Sequence, residues 1–198
     1  MPLNARSSLV LAAALLGTAA FPALSPAQAA APLAARQVPL PPIPHPPGDI
    51  PDTQVFIDYH APWGFSIKVP EGWARRVAAH HVAFTSAYDG LAVRMGTAAT
   101  APSVAGVKQD QAALLARSPM AVRISKIATM SLPGGPAVLI AYSSNSAPNA
   151  VTGKAIRLEN DRYLFWKGGK LATLTLSAPF GADNVDQWRL IARSFRWN

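Results

Sequence analysis

Prolines crowd the chain between Pro32 and Pro51, most densely in the run PLPPIPHPPGDIP. Each proline lacks a backbone N–H and fixes φ at about −65°, so neither a helix nor a sheet ladder propagates through such a stretch. Residues 30–54 therefore read as a Pro/Ala-rich disordered linker, extended in polyproline II fashion and acting as a spacer. Whatever packs a core begins near Val55. The span 55–198, about 140 residues, is enough for one domain with one core and too short for two.

Upstream of the prolines, Arg6 supplies positive charge, Leu9 to Ala20 forms an apolar run, and Ala27-Gln28-Ala29 has the small-x-small pattern that signal peptidase reads. Residues 1–29 read as a secretory signal peptide cut between Ala29 and Ala30. The apolar run is shorter than a bilayer span, and Pro22 and Pro26 interrupt its continuation, so no transmembrane helix is expected after cleavage. The expected location is periplasmic or extracellular.

Export sets the context for two compositional facts. No cysteine occurs in the 198 residues, which excludes disulfides, a thiolate metal site and lipid attachment at the cleavage site. The formal charge is +8, and losing Arg6 with the leader lowers it by one. A basic balance favours anionic partners, and for an exported chain these are phospholipid head groups, wall polymers or acidic polysaccharide rather than nucleic acid. The expected partner is an envelope protein or an anionic envelope component. Arg75-Arg76 is the one adjacent basic pair.

Past Val55, Phe65, Ile67 and Val69 alternate with Ser66 and Lys68 as in a half-buried strand, and Pro70-Glu71-Gly72 turns the chain. Val82 and Phe84, then Leu91, Val93 and Met95 after Asp89-Gly90, form a hairpin. The period changes between Ser103 and Arg117, where a helix is expected with Ser103 as N-cap and Ser118-Pro119 as stop. Strand patterns follow at Val122 to Leu132, Ala137 to Ser144, Lys154 to Glu159, Tyr163 to Trp166, and Leu171 to Ser177. Turns are expected at Pro133-Gly134-Gly135, Asn160-Asp161 and Gly168-Gly169. A closing helix is expected with Asp183 or Asn184 as cap, Asp186 and Arg193 suiting its dipole, and Val185, Trp188, Ile191 or Ala192, and Phe195 on its apolar face. This order gives an α+β domain with a mainly antiparallel sheet.

The segments GFSIKVPEGW, VAFTS, GGPAVLIAYSSNS and KLATLTLSAPFGADNVDQWRLIARSFRW resemble the PsbP-like fold, in its exported bacterial branch. The resemblance covers about Val55 to Asn198. It implies a curved antiparallel sheet of about six strands packed by two or more helices, and a binding or assembly module. No segment matches a photosystem-binding arm, so the resemblance carries architecture and no particular partner.

Residue chemistry adds no catalytic constellation. His45 lies among the prolines, while His80 and His81 are neighbours that would point to opposite faces of a strand, so no metal site is expected. Ser66 in GFSIK lacks the second glycine of a nucleophile elbow, and Gly168-Gly169-Lys170 lacks the earlier glycine of a phosphate loop. Nothing in the pattern calls for a cofactor. The leading expectation is a non-enzymatic binding or assembly module of the bacterial cell envelope, with Trp63, Arg75, Arg76 and Trp166 as the candidate partner-binding surface. The alternative is a secreted hydrolase with a non-standard active site, which would require a deep pocket holding His80 or His81 beside an aspartate or serine.

Overall fold

The computed structural model describes residues 36–198, so the expected signal peptide, 1–29, lies outside the described residues. Among the described residues ten strands form two antiparallel sheets. β1 (Phe56–Ala61), β2 (Phe65–Pro70) and β10 (Arg196–Trp197) make a three-stranded sheet in the order β1-β2-β10. The larger sheet has seven strands in the order β3-β4-β5-β9-β8-β7-β6. These are β3 (Ala74–Ala78), β4 (His81–Thr85), β5 (Gly90–Thr97), β6 (Arg123–Leu132), β7 (Gly135–Asn145), β8 (Arg157–Lys167) and β9 (Lys170–Pro179). The α+β, mainly antiparallel reading holds.

Alternation along the strands decides where the main core sits. Val82, Phe84, Leu91, Val93, Leu174, Leu176 and Phe165 point to one face, where Phe65, Ile67 and Val69 of β2 meet them. The helix α3 (Val185–Ser194) closes this side with Ile191 and Ala192, and Phe195 stacks on Phe165 at 4.3 Å between ring centroids. A second cluster lies on the opposite face, where Val107 packs on Val138, Ile140, Tyr142 and Leu164. Val107 comes from a continuous helical stretch: α1 (Val104–Val107), a π-helical segment (Lys108–Ala112) and α2 (Ala113–Ala116). Ser103 caps it as expected, accepting the Gly106 N–H at 3.1 Å. This helix packs on β6, β7 and β8 and reaches Leu171 of β9, and beyond it the β3-β4-β5 side of the same face stays open, with Arg76 and Arg94 exposed.

Four expectations need correction. The segment 30–54 is not a free spacer over its described part: it has no regular ladder, but residues 37–50 are bonded to the domain at both ends. Asn145 accepts the Leu40 N–H at 3.0 Å and donates to the Val38 carbonyl at 2.8 Å, while Asn184 accepts the Ile50 N–H at 2.7 Å. Prolines forbid a ladder, yet the remaining N–H and C=O groups still demand partners, and two asparagine amides supply them. Asn160-Asp161 is no turn, because β8 runs unbroken through it and the Asn160 amide is buried, donating to Ser144 Oγ at 3.2 Å. Asn184 occupies the N-cap position of α3 without capping it, since its side chain is spent on residues 37–50, which form a strap across the domain. Val185 is 63% exposed, and Gln187 instead turns inward beside Ile191, donating to Asp52 at 3.0 Å.

Candidate functional site

The open face of the large sheet can be read row by row from its register. Arg76 pairs with Ala83, Ala83 with Ala92, Ala92 with Thr175, and Thr175 with Arg162, placing five strands' residues side by side. In the next row His81 pairs with Arg94 and Arg94 with Thr173. The floor is thus alanine and threonine, short enough to stay flat, with Arg76, Arg94, Arg162 and His81 rising from it. No strand position on this face carries a carboxylate. Among the described residues the only ion pairs within 4.0 Å are Lys68 with Asp58 and Arg189 with Asp186, so none of these three arginines is neutralised by contact.

Arg162 is held in place. Its guanidinium lies 5.6 Å from the Tyr142 ring centroid, and its Nε donates to Thr175 Oγ1 at 3.3 Å. Fixing the group before a ligand arrives lowers the ordering cost of binding. A cleft of about 480 Å³ opens here, lined by His81, Arg94, Arg162, Thr173 and Thr175, with Gln111 of the π segment as its wall. The π segment carries an extra residue per turn, a feature frequent at functional sites.

A second cleft, of about 470 Å³, lies on the other face between α3 and strands β6 to β8. Glu159, Asp161 and Tyr163 of β8 form one wall, and Trp188, Arg189 and Arg193 of α3 the other. Burial pushes the Glu159 and Asp161 carboxyls above the usual carboxylate range. A backbone N–H of Gly181 opposes the shift at Glu159, and the Tyr163 hydroxyl, donating to Asp161 Oδ2 at 3.0 Å, opposes it at Asp161. Burial, with Asp161 beside it, raises the Tyr163 phenol as well.

No family model matches the chain, and no curated protein matches it in sequence. Among solved structures it is similar to cyanobacterial PsbP (CyanoP) from Synechocystis sp. PCC 6803, with a TM-score of 0.55 at 13% identity, over 76% of this chain and 98% of that one. The fold is PsbP-like. The chain is also similar to the Ran-binding protein Mog1p of Saccharomyces cerevisiae, with a TM-score of 0.50 at 10% identity, over 73% of this chain and 96% of that one. At these identities the likeness is one of fold.

Within the PsbP-like domain the four residues singled out from sequence do not converge. Arg75 and Arg76 are neighbours on β3 and take opposite faces, so Arg76 joins the arginine face while Arg75 lies 5.9 Å over the Tyr59 ring. Trp63 packs on the core beside Phe65 and lines a shallow pocket with His80 and Lys170. Trp166 is tied down, its indole N–H donating to the Ala98 carbonyl at 2.8 Å. Arg94 and Arg162 escaped the sequence reading because each is isolated along the chain. The signal was strand parity combined with pairing order, and pairing order is set by tertiary structure. The pocket that a hydrolase reading requires is not formed around either histidine: His80 has Trp63, Met95 and Lys170 about it, and His81 has arginines and threonines.

Proposed function

We propose that the protein is an exported binding module of the bacterial cell envelope that docks an anionic envelope component on the arginine face of its sheet. One observation carries this reading: Arg76, Arg94 and Arg162 share one face with no carboxylate among its strand positions, and no carboxylate of the described residues lies within 4.0 Å of any of them. Export rests on the leader-like residues 1–29 and is tested by the mass of the chain recovered outside the cytoplasm, which should begin at Ala30.

Magnitudes select the kind of anion. A basic side chain near an anionic surface contributes about 1 kcal/mol, so three contribute roughly 3 kcal/mol. Millimolar affinity already needs about 4 kcal/mol. A single small anion would therefore be held too weakly to matter, whereas a polymer or surface presenting many charges gains by repetition. The flat alanine and threonine floor suits such an extended ligand.

Co-sedimentation with phosphatidylglycerol vesicles, and retention by polygalacturonate, test the reading and separate its two sources of anionic charge. Association with one of them, lost in high salt and weakened in R94Q/R162Q, is the expected result. No salt-sensitive association with either would overturn it.

A further inference from the structure

The cleft beneath α3 lies on the other face of the sheet and has no part in the anion reading. Its walls carry opposite charge. Glu159 and Asp161 are two residues apart on β8, so their side chains leave the strand on the same side, about 7 Å apart along it. Among the described residues neither has a lysine or arginine nitrogen within 4.0 Å. Lys126 sits in the same row as Asp161, with Ala141 between them, and acts on it through space only. The Tyr163 hydroxyl donates to Asp161 Oδ2 at 3.0 Å, which orients that carboxyl without neutralising it.

The facing wall is cationic. Arg189 is engaged by Asp186 at 2.8 Å, but the Arg193 guanidinium donates no hydrogen bond to a described residue. Apolar lining comes from Leu132 and Leu139 of the sheet and from Trp188 of α3. A simple anion entering this space meets two carboxylates, and a simple cation meets two guanidinium groups. A molecule carrying both charges, separated by an apolar body, opposes neither wall. The volume, about 470 Å³, falls among those of small-molecule sites.

We infer that the cleft binds a zwitterionic ligand of the class of short apolar peptides with free termini. The ammonium sits against Glu159 and Asp161, the carboxylate against Arg193, and the side chains on Leu132, Leu139 and Trp188. The ammonium supplies the close cation that the two half-buried carboxylates lack.

Isothermal titration of the full chain with trileucine tests this, with N-acetyl-trileucine and trileucine amide as probes that each lack one charge. Trileucine should bind at a single site, and either blocked peptide should bind at least about tenfold more weakly. E159Q/D161N, whose amides preserve shape and the acceptor for Tyr163, should lose a similar factor while still associating with the anionic vesicles or polymer. Absence of trileucine binding at millimolar concentration, equal binding of the acetylated peptide, or undiminished binding by the double variant would each overturn the inference. The blocked peptides act on the unaltered protein, so the test stands even where the variant folds poorly.

Discussion

Asn184 Oδ1 accepts the backbone N–H of Ile50 at 2.7 Å, joining positions 134 residues apart. Its Nδ2 donates to the Gly48 carbonyl at 2.9 Å, so one side-chain amide satisfies both a donor and an acceptor of a segment that prolines keep out of any ladder. Gly48 is required beside it. Its φ is +108°, and a Cβ there would lie 2.9 Å from Pro179 Cδ.

Asn184→Ala should therefore cost more than one hydrogen bond. It strands the N–H of Ile50, a residue only 4% exposed, and leaves the Gly48 carbonyl without its donor. A loss of about 2–4 kcal/mol in urea unfolding, at unchanged m-value, is expected. A loss within experimental error would mean that the strap is not held through this residue.

Truncation asks the same question of the whole strap. A chain of residues 55–198 removes Ile50 from the core and leaves Asn145 and Asn184 without their strap partners. It should unfold at lower urea concentration than a chain of residues 36–198. A passive spacer would leave the two midpoints equal.

A third prediction concerns pH. Burial pushes the Asp89 carboxyl up to about 6 from an ordinary value of 3.8, although Ser86 and Asn184 donate to it. Between these values the folded chain holds more protons at this group than the unfolded chain, so its contribution to stability falls as pH rises through that window. The full cost, about 3 kcal/mol, is present above the folded value and absent below the unfolded one. D89N removes this dependence. Its stability relative to the parent should rise by about 2.5 kcal/mol between pH values near 4 and near 7.5, measured by urea unfolding. A constant difference across that range would contradict the assignment.

Much of the architecture is legible in the residues because its signals are local. Ser103 caps its helix, Phe65, Ile67 and Val69 alternate into the core, and Gly168-Gly169 turns β8 into β9. The errors arise where a distant partner overrides a local preference. Asn160 has turn chemistry, but Ser144 across the sheet holds it in a strand. Asn184 has capping chemistry, but the strap claims its amide. The arginine face was half visible through Arg76. Its completion by Arg94 and Arg162 needs the order β3-β4-β5-β9-β8, which no local pattern encodes. The second cleft was hidden for the same reason, since Glu159 and Asp161 become a same-face pair only when β8 runs through the expected turn.

Docking of an anionic envelope component on the arginine face would show itself in the salt dependence of binding to phosphatidylglycerol vesicles and to polygalacturonate. The protein and its R94Q/R162Q variant should be compared across sodium chloride concentrations. Affinity for one of these ligands should fall steadily with salt, and the variant, lacking two charges worth about 1 kcal/mol each, should bind about thirtyfold more weakly at low salt with a shallower dependence. Equal affinities and equal salt dependence in the two proteins would place binding elsewhere on the molecule and rule out the arginine face as the docking surface.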